Sequence, residues 1–366
     1  MRVVVVGGGV IGLACAWQLA LRGAGVTVLD AAPEAREASW AAAGMLAPHH
    51  EAAATDALWR LGAESLGRWE GFAAALGGEV ELDYRRNGGL LPVVTDADLQ
   101  EGESRTVALR QSGVESEWWT SKQLRAREPS LGAQLRGAWC IPGGQVDPRR
   151  LLVRLQHACA AAGVALRYGA RVAQLGAGAG SGAGTVRMHD GSLLGGDWVV
   201  VASGAWTPAL AQATGIDLAG EPVKGQMLRL QAPDDILTRY VHSHHAYVVP
   251  RMGAGLVVGS TMVEAGFDRS QDPEAIRHLA DQARALLPSL GQAAVVEHWT
   301  GLRPRLRGGR PVIAVVRSGL ILATGHFRNG ILLTPATAAA VTALAYGDLV
   351  SADAQPFTRI PPSMPP

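Results

Sequence analysis

Near the start of the chain, three glycines have the spacing GxGxxG: Gly7, Gly9 and Gly12. The apolar run Arg2–Val6 before them is typical of a strand that is buried on both faces. The pattern from Val10 to Arg22 predicts a helix, and Gly25–Leu29 predicts a second strand that ends at Asp30. Strand, glycine turn, helix, strand and terminal acid together indicate a dinucleotide-binding βαβ unit.

This unit has the groups that bind a pyrophosphate and a ribose. Gly7 allows a tight turn, Gly9 lets the backbone approach a pyrophosphate, and Gly12 lets the helix pack on the strand. The N-terminus of the helix offers N–H groups and a partial positive charge to the phosphates. Asp30 would accept hydrogen bonds from the ribose hydroxyls and disfavours a 2′-phosphate. The fingerprint alone does not distinguish FAD from NAD, and no second complete fingerprint occurs in the sequence.

The composition favours a folded protein of two domains that acts on a small ligand. The chain has 366 residues, 48% of them hydrophobic, and this length predicts two domains. A formal charge of +1 argues against nucleic acid or an anionic membrane as the main partner. Three cysteines without a CxxC pair are typical of neither a disulfide framework nor a zinc site, and they suit a reducing cytoplasm.

Further patterns predict the elements that would surround the dinucleotide. The stretch Ser39–Met45 consists largely of small residues, which lets its backbone lie close to a flat group. Leu58–Leu76 predicts an amphipathic helix, and the tract Gly176–Gly184 between two strand patterns predicts a flexible hairpin tip. Near the end, Leu320–Thr324 predicts a strand that runs through GHFRNG into a helix over Ile331–Tyr346.

A histidine-rich stretch invites a metal interpretation, which the spacing does not favour. A single strand is predicted over Tyr240–Pro250, and on it only His242 and His244 would share a face. No Cys is nearby and no third ligand is evident, so no metal site is predicted. His245 would lie on the same face as Tyr247 and could border an active site.

Several blocks of the sequence, which span nearly the whole chain in order, resemble the D-amino-acid oxidase superfamily, and within it the glycine oxidases of thiamin biosynthesis. The matching blocks are VVVVGGGVIGLACAWQLA, SWAAAGML, VVVASGAW, PVKGQM, HAYVVPR, VVGSTM, GLRPR and GHFRNGILLTPAT. The resemblance implies an α/β fold in which an FAD-binding, Rossmann-like domain is interleaved with an α+β substrate domain built on an antiparallel sheet. It implies non-covalent FAD, and no Cys follows Cys159 to carry a covalent flavin.

The resemblance also divides the chain. The FAD-binding domain is expected at 1–80, 141–220 and 301–350, the substrate-binding domain at 81–140 and 221–300, and a tail at 351–366. The helix after Gly330 would present its positive end to the pyrimidine side of the flavin and stabilise the reduced anion.

Carried onto this sequence, the family's motifs give two sets of site residues. Those expected to bind FAD are Gly7, Gly9, Val10, Ile11, Gly12, Asp30, Ala31, Ala38, Ser39, Ala43, Gly44, Met45, Val172, Ser203, Gly204, His326, Phe327, Arg328, Asn329, Gly330, Ile331 and Leu332. Those expected at the substrate are Arg303, Arg328, Tyr247, Met262 and His245. Arg303 would bind the substrate carboxylate. Two parallel N–H hydrogen bonds from a guanidinium orient a carboxylate as well as stabilise it.

The predicted reaction is the FAD-dependent oxidation of glycine and other small amines or D-amino acids. A hydride would pass to flavin N5, and the imine would hydrolyse to glyoxylate or another 2-oxo acid with ammonia, while oxygen becomes hydrogen peroxide. The product would feed thiamin thiazole synthesis in the cytoplasm, and the family suggests a homotetramer. Two alternatives stay open: a D-amino-acid dehydrogenase that uses a quinone, and a dinucleotide-binding protein without catalysis.

Overall fold

The computed structural model describes residues 1–32, 36–51, 56–177 and 184–360 of the chain. Of the glycine-rich tract that predicts a hairpin tip, residues 178–183 lie outside these ranges. The flanking strands do pair antiparallel, with Thr185 opposite Gly176 and Val186 opposite Leu175, as a hairpin requires.

The strands of the described residues are, in chain order, β1 (Arg2–Val6), β2 (Gly25–Leu29), β3 (Met45–Leu46), β4 (Gly89–Val93), β5 (Glu117–Thr120), β6 (Gly137–Ile141), β7 (Gly144–Gln145), β8 (Ala165–Arg167), β9 (Val172–Ala177), β10 (Gly184–Met188), β11 (Leu193–Gly196), β12 (Trp198–Val201), β13 (Gly220–Leu230), β14 (Tyr240–His242), β15 (Tyr247–Arg251), β16 (Gly255–Gly259), β17 (Val295–Leu306), β18 (Val312–Arg317) and β19 (Leu320–Thr324). The α-helices are α1 (Val10–Leu21), α2 (Ala38–Ala41), α3 (Pro48–Glu51), α4 (Ala57–Ala75), α5 (Gly78–Leu82), α6 (Asp96–Gln111), α7 (Ser121–Arg127), α8 (Pro148–Ala161), α9 (Thr207–Gln212), α10 (Pro273–Leu286) and α11 (Thr334–Tyr346). Short 3₁₀ turns lie at Gly204–Trp206, Pro288–Leu290 and Gln355–Phe357.

The first sheet has the strand order β18-β19-β12-β1-β2-β8, and all its pairs are parallel except β18 with β19. The valines of β1 alternate between two cores, which explains why this strand is apolar throughout. Val3 and Val5 pack with α1, α8 and α11, whereas Val4 and Val6 pack towards the small sheet β9-β10-β11. The N-terminal strand, turn and helix are therefore confirmed, and they lie at the centre of this layer.

The second sheet has the order β17-β13-β16-β15-β14-β4-β6-β5, and only β14 and β4 pair parallel. One face is covered by α10, whose Ile276, Leu279 and Ala283 are buried against the strands. The opposite face carries Met227 and Trp299, which pack on the small residues around Ala43. The predicted combination of a Rossmann-like sheet with an α+β unit on an antiparallel sheet is confirmed.

Three expectations from the sequence differ from the structure. The predicted strand Tyr240–Pro250 is two strands joined by a turn at 243–246, in which Ser243 Oγ donates to the carbonyl oxygen of Ala246 at 2.7 Å. Strand β17 runs unbroken through the expected domain boundary at 300/301. Residues 351–360, expected in a tail, pack on the first sheet's core, where Phe357 is 2% exposed.

Candidate active site

Two of the three fingerprint glycines are packed so closely that side chains would not fit. Gly7 has φ +113°, and a Cβ added to it would lie 2.4 Å from the carbonyl oxygen of Ala202. A Cβ on Gly12 would lie 1.9 Å from the carbonyl oxygen of Gly7, so helix α1 contacts the turn directly. A Cβ on Gly9 would meet only the Ser39 hydroxyl, at 3.0 Å. The turn therefore leaves bare backbone at the N-terminus of α1.

Asp30 lies at the end of β2, beside this turn. Its carboxylate accepts hydrogen bonds from the N–H groups of Gly8 at 2.5 Å and Ala32 at 2.8 Å. Helix α1 has no acidic residue in its first turn, and the Ser39 hydroxyl accepts from the Val10 N–H at 3.1 Å. A positive helix end beside a fixed acid suits a pyrophosphate next to a ribose.

A cavity of about 710 Å³ runs from this turn to the second sheet. We call it the main cavity. Most of the residues expected to bind FAD line it, namely Gly7, Gly9, Val10, Ile11, Asp30, Ala31, Ala38, Ser39, Ala43, Gly44, Met45, Val172, Ser203, Gly204, His326, Phe327, Arg328, Asn329, Gly330 and Ile331. Gly12 lies behind the wall, as its packing role requires, and the buried Leu332 offers only its carbonyl oxygen, to Ser65 and Trp69.

The small-residue segment around Ala43 forms part of the wall, and two side chains from the second sheet hold its backbone. The Trp299 indole N–H donates to the carbonyl oxygen of Ala41 at 3.0 Å, and the buried Arg251 guanidinium donates to that of Ala43. Gly44 has φ +74°, and a Cβ there would lie 2.0 Å from the carbonyl oxygen of Val146. Sequence analysis gave Trp299 and Arg251 no role, because a tertiary contact to a backbone carbonyl leaves no local pattern.

Substituting Trp299 by Phe is expected to loosen this segment. The variant keeps an aromatic ring beside Trp40 but leaves the buried carbonyl of Ala41 without its donor, which costs about 1–3 kcal/mol. We expect weaker FAD binding together with a lower melting temperature, measured by flavin fluorescence titration and thermal unfolding. The control Trp118→Phe changes an indole elsewhere in the second sheet and should leave FAD affinity unchanged. Equal FAD affinity in Trp299→Phe and the unsubstituted protein would show that the hydrogen bond from Trp299 to Ala41 does not shape the cavity.

Arg303 projects from β17 into the far end of the main cavity. Its Nη2 donates to the Ser260 hydroxyl at 2.6 Å, and its Nη1 donates to the carbonyl oxygen of Thr261 at 3.2 Å. Gly225 on the neighbouring strand leaves room for it, since a Cβ there would lie 2.1 Å from Nη1. A guanidinium has five N–H donors, so Arg303 keeps donors for a ligand while these two contacts fix its plane.

Tyr247, at the start of β15, lines the main cavity together with Arg303. Its hydroxyl donates to the sulfur of Met227 at 3.1 Å, and a Cβ on Gly259 would lie 2.5 Å from that hydroxyl oxygen. Thus glycines on two adjacent strands, Gly225 and Gly259, make space for the two polar side chains of this wall.

The segment after β19 lines the main cavity at the same edge of the first sheet as the glycine turn, because β1, β12 and β19 run parallel. Phe327 has φ +49° and donates its N–H to the carbonyl oxygen of Pro304 at 3.0 Å, which ties the segment to β17. Arg328 is exposed and borders the cavity. Helix α11 begins at Thr334 and not at Ile331, because Pro335 occupies its first turn. Turn residues up to Ile331, not the first turn of the helix, therefore border the cavity.

His326 is buried, and its Nε2 lies 3.0 Å from the Thr337 hydroxyl. Burial lowers its pKa to about 4, so the ring is neutral at pH 7. The unfolded chain, with a histidine pKa near 6.5, binds this proton more readily, so stability falls as the pH drops from 6.5 towards 4.

His326→Gln is expected to remove this part of the pH dependence. Each such histidine contributes about 1.4 kcal/mol of unfolding free energy per pH unit across that window. The urea-unfolding free energy of the FAD-saturated variant should therefore fall less steeply between pH 6.5 and 5 than that of the unsubstituted protein. His278→Gln on the exposed side of α10 should keep the steep slope. An unchanged slope in His326→Gln would contradict a neutral, buried His326.

A second cavity of about 370 Å³ opens beside Arg303 and shares Tyr247, Ser260, Arg303 and Arg328 with the main cavity. We call it the histidine cavity, because His50, His242, His244 and His245 all line it. His245 and Met262, which were expected at the substrate, border this cavity and not the main one.

The turn at 243–246 changes the expected orientation of these histidines. His245 is exposed in the turn and does not share a strand face with Tyr247. His242 instead stacks on the Tyr247 ring, with centroids 6.2 Å apart and an interplanar angle of 11°. His244 Nε2 lies 3.4 Å from Asp98 and 3.3 Å from Glu101. Across the described ranges, no cluster of His, Cys, Asp or Glu is arranged to hold a metal ion.

A βαβ fingerprint, an acid after β2 and a cavity that runs from this unit to a second, mostly antiparallel sheet are typical of dinucleotide-dependent oxidoreductases. The bare backbone at Gly7 and Gly9 and the small-residue wall fit FAD. A family model described as FAD dependent oxidoreductase (DAO) matches residues 2–344. The chain belongs to this family, and FAD is its cofactor.

Two curated relatives and one solved structure illustrate the likeness. The chain is 33% identical over 363 residues to a glycine oxidase of Geobacillus kaustophilus, covering 97% of this chain and 96% of the relative. It is 34% identical over 360 residues to a bifunctional ThiO/ThiG protein of Synechocystis, of which it spans only 52%. The crystal structure of glycine oxidase from Geobacillus kaustophilus superposes with a TM-score of 0.90 at 32% identity, covering 98% of both chains.

Proposed function

We propose that the protein oxidises glycine and other small amines or D-amino acids, with oxygen as the electron acceptor. The observation that carries the proposal is Arg303, a guanidinium held in one plane by Ser260 and Thr261 in the main cavity. Such a fork suits a carboxylate, which it can bind with two parallel hydrogen bonds. The similarity to glycine oxidases over almost the whole chain supports the same substrate class.

In the proposed reaction the protein binds and orients the amino acid, and FAD, when bound, accepts a hydride from its α-carbon. Arg303 holds the carboxylate, and the Tyr247 hydroxyl donates to it from the same wall. Arg328 adds positive charge where the two cavities meet. We assign no side chain as a strong base, because hydride transfer from a neutral amine needs none.

The proposal leaves a small space for the substrate's remaining substituent. Met262, at 59% exposed, and His245 line the histidine cavity and would contact that substituent but not the reacting atoms. One methyl group changes discrimination by only about 1–3 kcal/mol, so glycine, sarcosine and D-alanine are all expected to react.

The decisive experiment is an anaerobic flavin spectrum. The FAD-loaded protein should lose its yellow absorbance when glycine is added under nitrogen, and regain it in air with release of hydrogen peroxide. Recovery with a quinone but not with air would favour a D-amino-acid dehydrogenase. If glycine, sarcosine and small D-amino acids all leave the flavin absorbance unchanged, both catalytic proposals are overturned, and a non-catalytic binding protein remains.

We further propose that the imine product serves thiamin thiazole synthesis in the cytoplasm, and that the protein assembles as a homotetramer. The match to about half of a bifunctional ThiO/ThiG protein supports the first point. No helix in the described part of the chain has the length and apolar character to cross a membrane. Light scattering of the purified holoprotein tests the tetramer.

A further inference from the structure

We propose that the histidine cavity binds a second carboxylate, so that the protein also accepts amines that carry two carboxylates. The inference rests on the proposed function, because it takes the first carboxylate to be held by Arg303. The two cavities meet at Arg303 and Arg328, so a substrate bound by Arg303 can extend one substituent into the histidine cavity.

His50 is the first observation for a ligand in this cavity. Its side chain lines the cavity and is only 5% exposed, yet neither ring nitrogen has a hydrogen-bond partner within the described residues. The ring centroid lies 5.5 Å from that of His242, whose ring borders the same cavity. Buried polar atoms are nearly always paired. Burial lowers the pKa of His50, so the ring is neutral and has one N–H. This unpaired N–H at a cavity wall points to a ligand with a hydrogen-bond acceptor, such as a carboxylate oxygen.

The charges around these two rings favour an anion. We call the part of the cavity formed by His50 and His242 the inner wall. Arg105 lines the cavity and donates to the carbonyl oxygens of His49 at 3.2 Å and His50 at 2.8 Å, which fixes a guanidinium beside this wall. Burial, and after it the nearby Arg328 and Arg105, lowers the pKa of His242 to about 4. The positive charges of Arg105 and Arg328 therefore act on the His242 ring, and they would stabilise a carboxylate bound beside it.

Both acids of the cavity are already paired. Asp98 accepts from the N–H groups of Val94 at 2.9 Å and Thr95 at 2.7 Å, at the start of α6. Glu101 lies 3.5 Å from Arg105 and 3.3 Å from His244, and about half of its side chain is exposed. A cationic substituent would have to displace these partners, whereas a carboxylate that accepts from His50 uses a ring nitrogen that neither acid contacts.

The test compares two inert ethers that differ by one carboxylate. Methoxyacetate and oxydiacetate both place an oxygen where the substrate has its amine nitrogen, and calorimetry of the FAD-loaded protein gives their dissociation constants. We expect oxydiacetate to bind at least 10-fold more tightly. His242→Asn should reduce that ratio towards one, and Glu101→Gln should raise it several-fold by removing negative charge from the cavity. Glu103→Gln, an exposed carboxylate on the same helix but outside the cavity, is the matched control and should leave the ratio unchanged.

Turnover gives a second readout, since N-carboxymethylglycine should show a higher kcat/KM than sarcosine. Equal affinity for the two ethers would overturn the second site, while bleaching by glycine in the same sample would preserve the proposed function. Tighter binding of 2-aminoethoxyacetate than of oxydiacetate would show that the cavity selects a cation, which also overturns it. A preference for oxydiacetate that His242→Asn and Glu101→Gln leave unchanged would place the second carboxylate elsewhere. If neither ether binds and no amine bleaches the flavin, the proposed role of Arg303 itself fails.

Discussion

Arg303→Met should lower kcat/KM for glycine by roughly 10²–10³-fold while FAD remains bound, because losing one partner of a desolvated charge pair costs about 3–4 kcal/mol. The loss should fall mainly on substrate binding. In the variant, the Ser260 hydroxyl and the Thr261 carbonyl lose their guanidinium contacts, and the substrate carboxylate meets no fork. Stopped-flow reduction under nitrogen separates the dissociation constant of glycine from the rate of flavin reduction.

Two further variants define the origin of that loss. Arg303→Lys keeps the charge but not the planar fork, so it should recover only part of the activity. Arg305→Met removes a charge two residues along β17, outside both cavities, where the side chain pairs with Glu221 and Glu264. It should change kcat/KM less than 3-fold, a difference of under about 0.7 kcal/mol. Similar losses in Arg303→Met and Arg305→Met would mean that net charge matters and the fork does not.

The dinucleotide end of the site was predictable because its determinants are local. A buried strand, three glycines at fixed spacing and an acid after the next strand all lie within the first thirty residues. Each has a separate steric or electrostatic reason, and the structure shows the close packing that requires glycine at positions 7 and 12. The start of α11 at Thr334 could also have been predicted from the sequence, since Pro335 lacks an N–H and marks a first helical turn.

The substrate end depends on contacts between distant segments, and sequence patterns do not contain them. Arg251 and Trp299 reach carbonyl oxygens more than two hundred residues earlier in the chain. The hairpin at 243–246 depends on the Ser243 side chain, which bonds the backbone of Ala246 in a stretch whose alternation suggests one continuous strand. Likewise Phe357 is an isolated aromatic in a proline-containing segment, and only packing on the first sheet reveals it as core.

Gly9→Ala and Gly12→Ala should both weaken FAD binding, but for different reasons and with different effects on the fold. A Cβ on Gly9 meets only the Ser39 hydroxyl, at 3.0 Å, and occupies space that a pyrophosphate needs at the N-terminus of α1. We expect FAD affinity to fall by roughly 10–100-fold, a loss of about 1.4–2.8 kcal/mol, with apoprotein stability nearly unchanged. A Cβ on Gly12 lies 1.9 Å from a backbone oxygen, so the helix must shift, and stability should fall by about 1–3 kcal/mol along with FAD affinity.

Gly67→Ala provides the matched control, because a Cβ at this position in α4 has no neighbour within 4 Å. It should leave FAD affinity unchanged and raise stability by up to about 1 kcal/mol, since Ala forms helix more readily than Gly. Urea unfolding of each apoprotein and fluorescence titration with FAD measure the two quantities separately. Loss of FAD binding in Gly9→Ala with unchanged unfolding would locate the pyrophosphate at this turn. Full FAD affinity in that variant would place the cofactor elsewhere, because no dinucleotide could approach the backbone of Gly9 past an added methyl group at no cost.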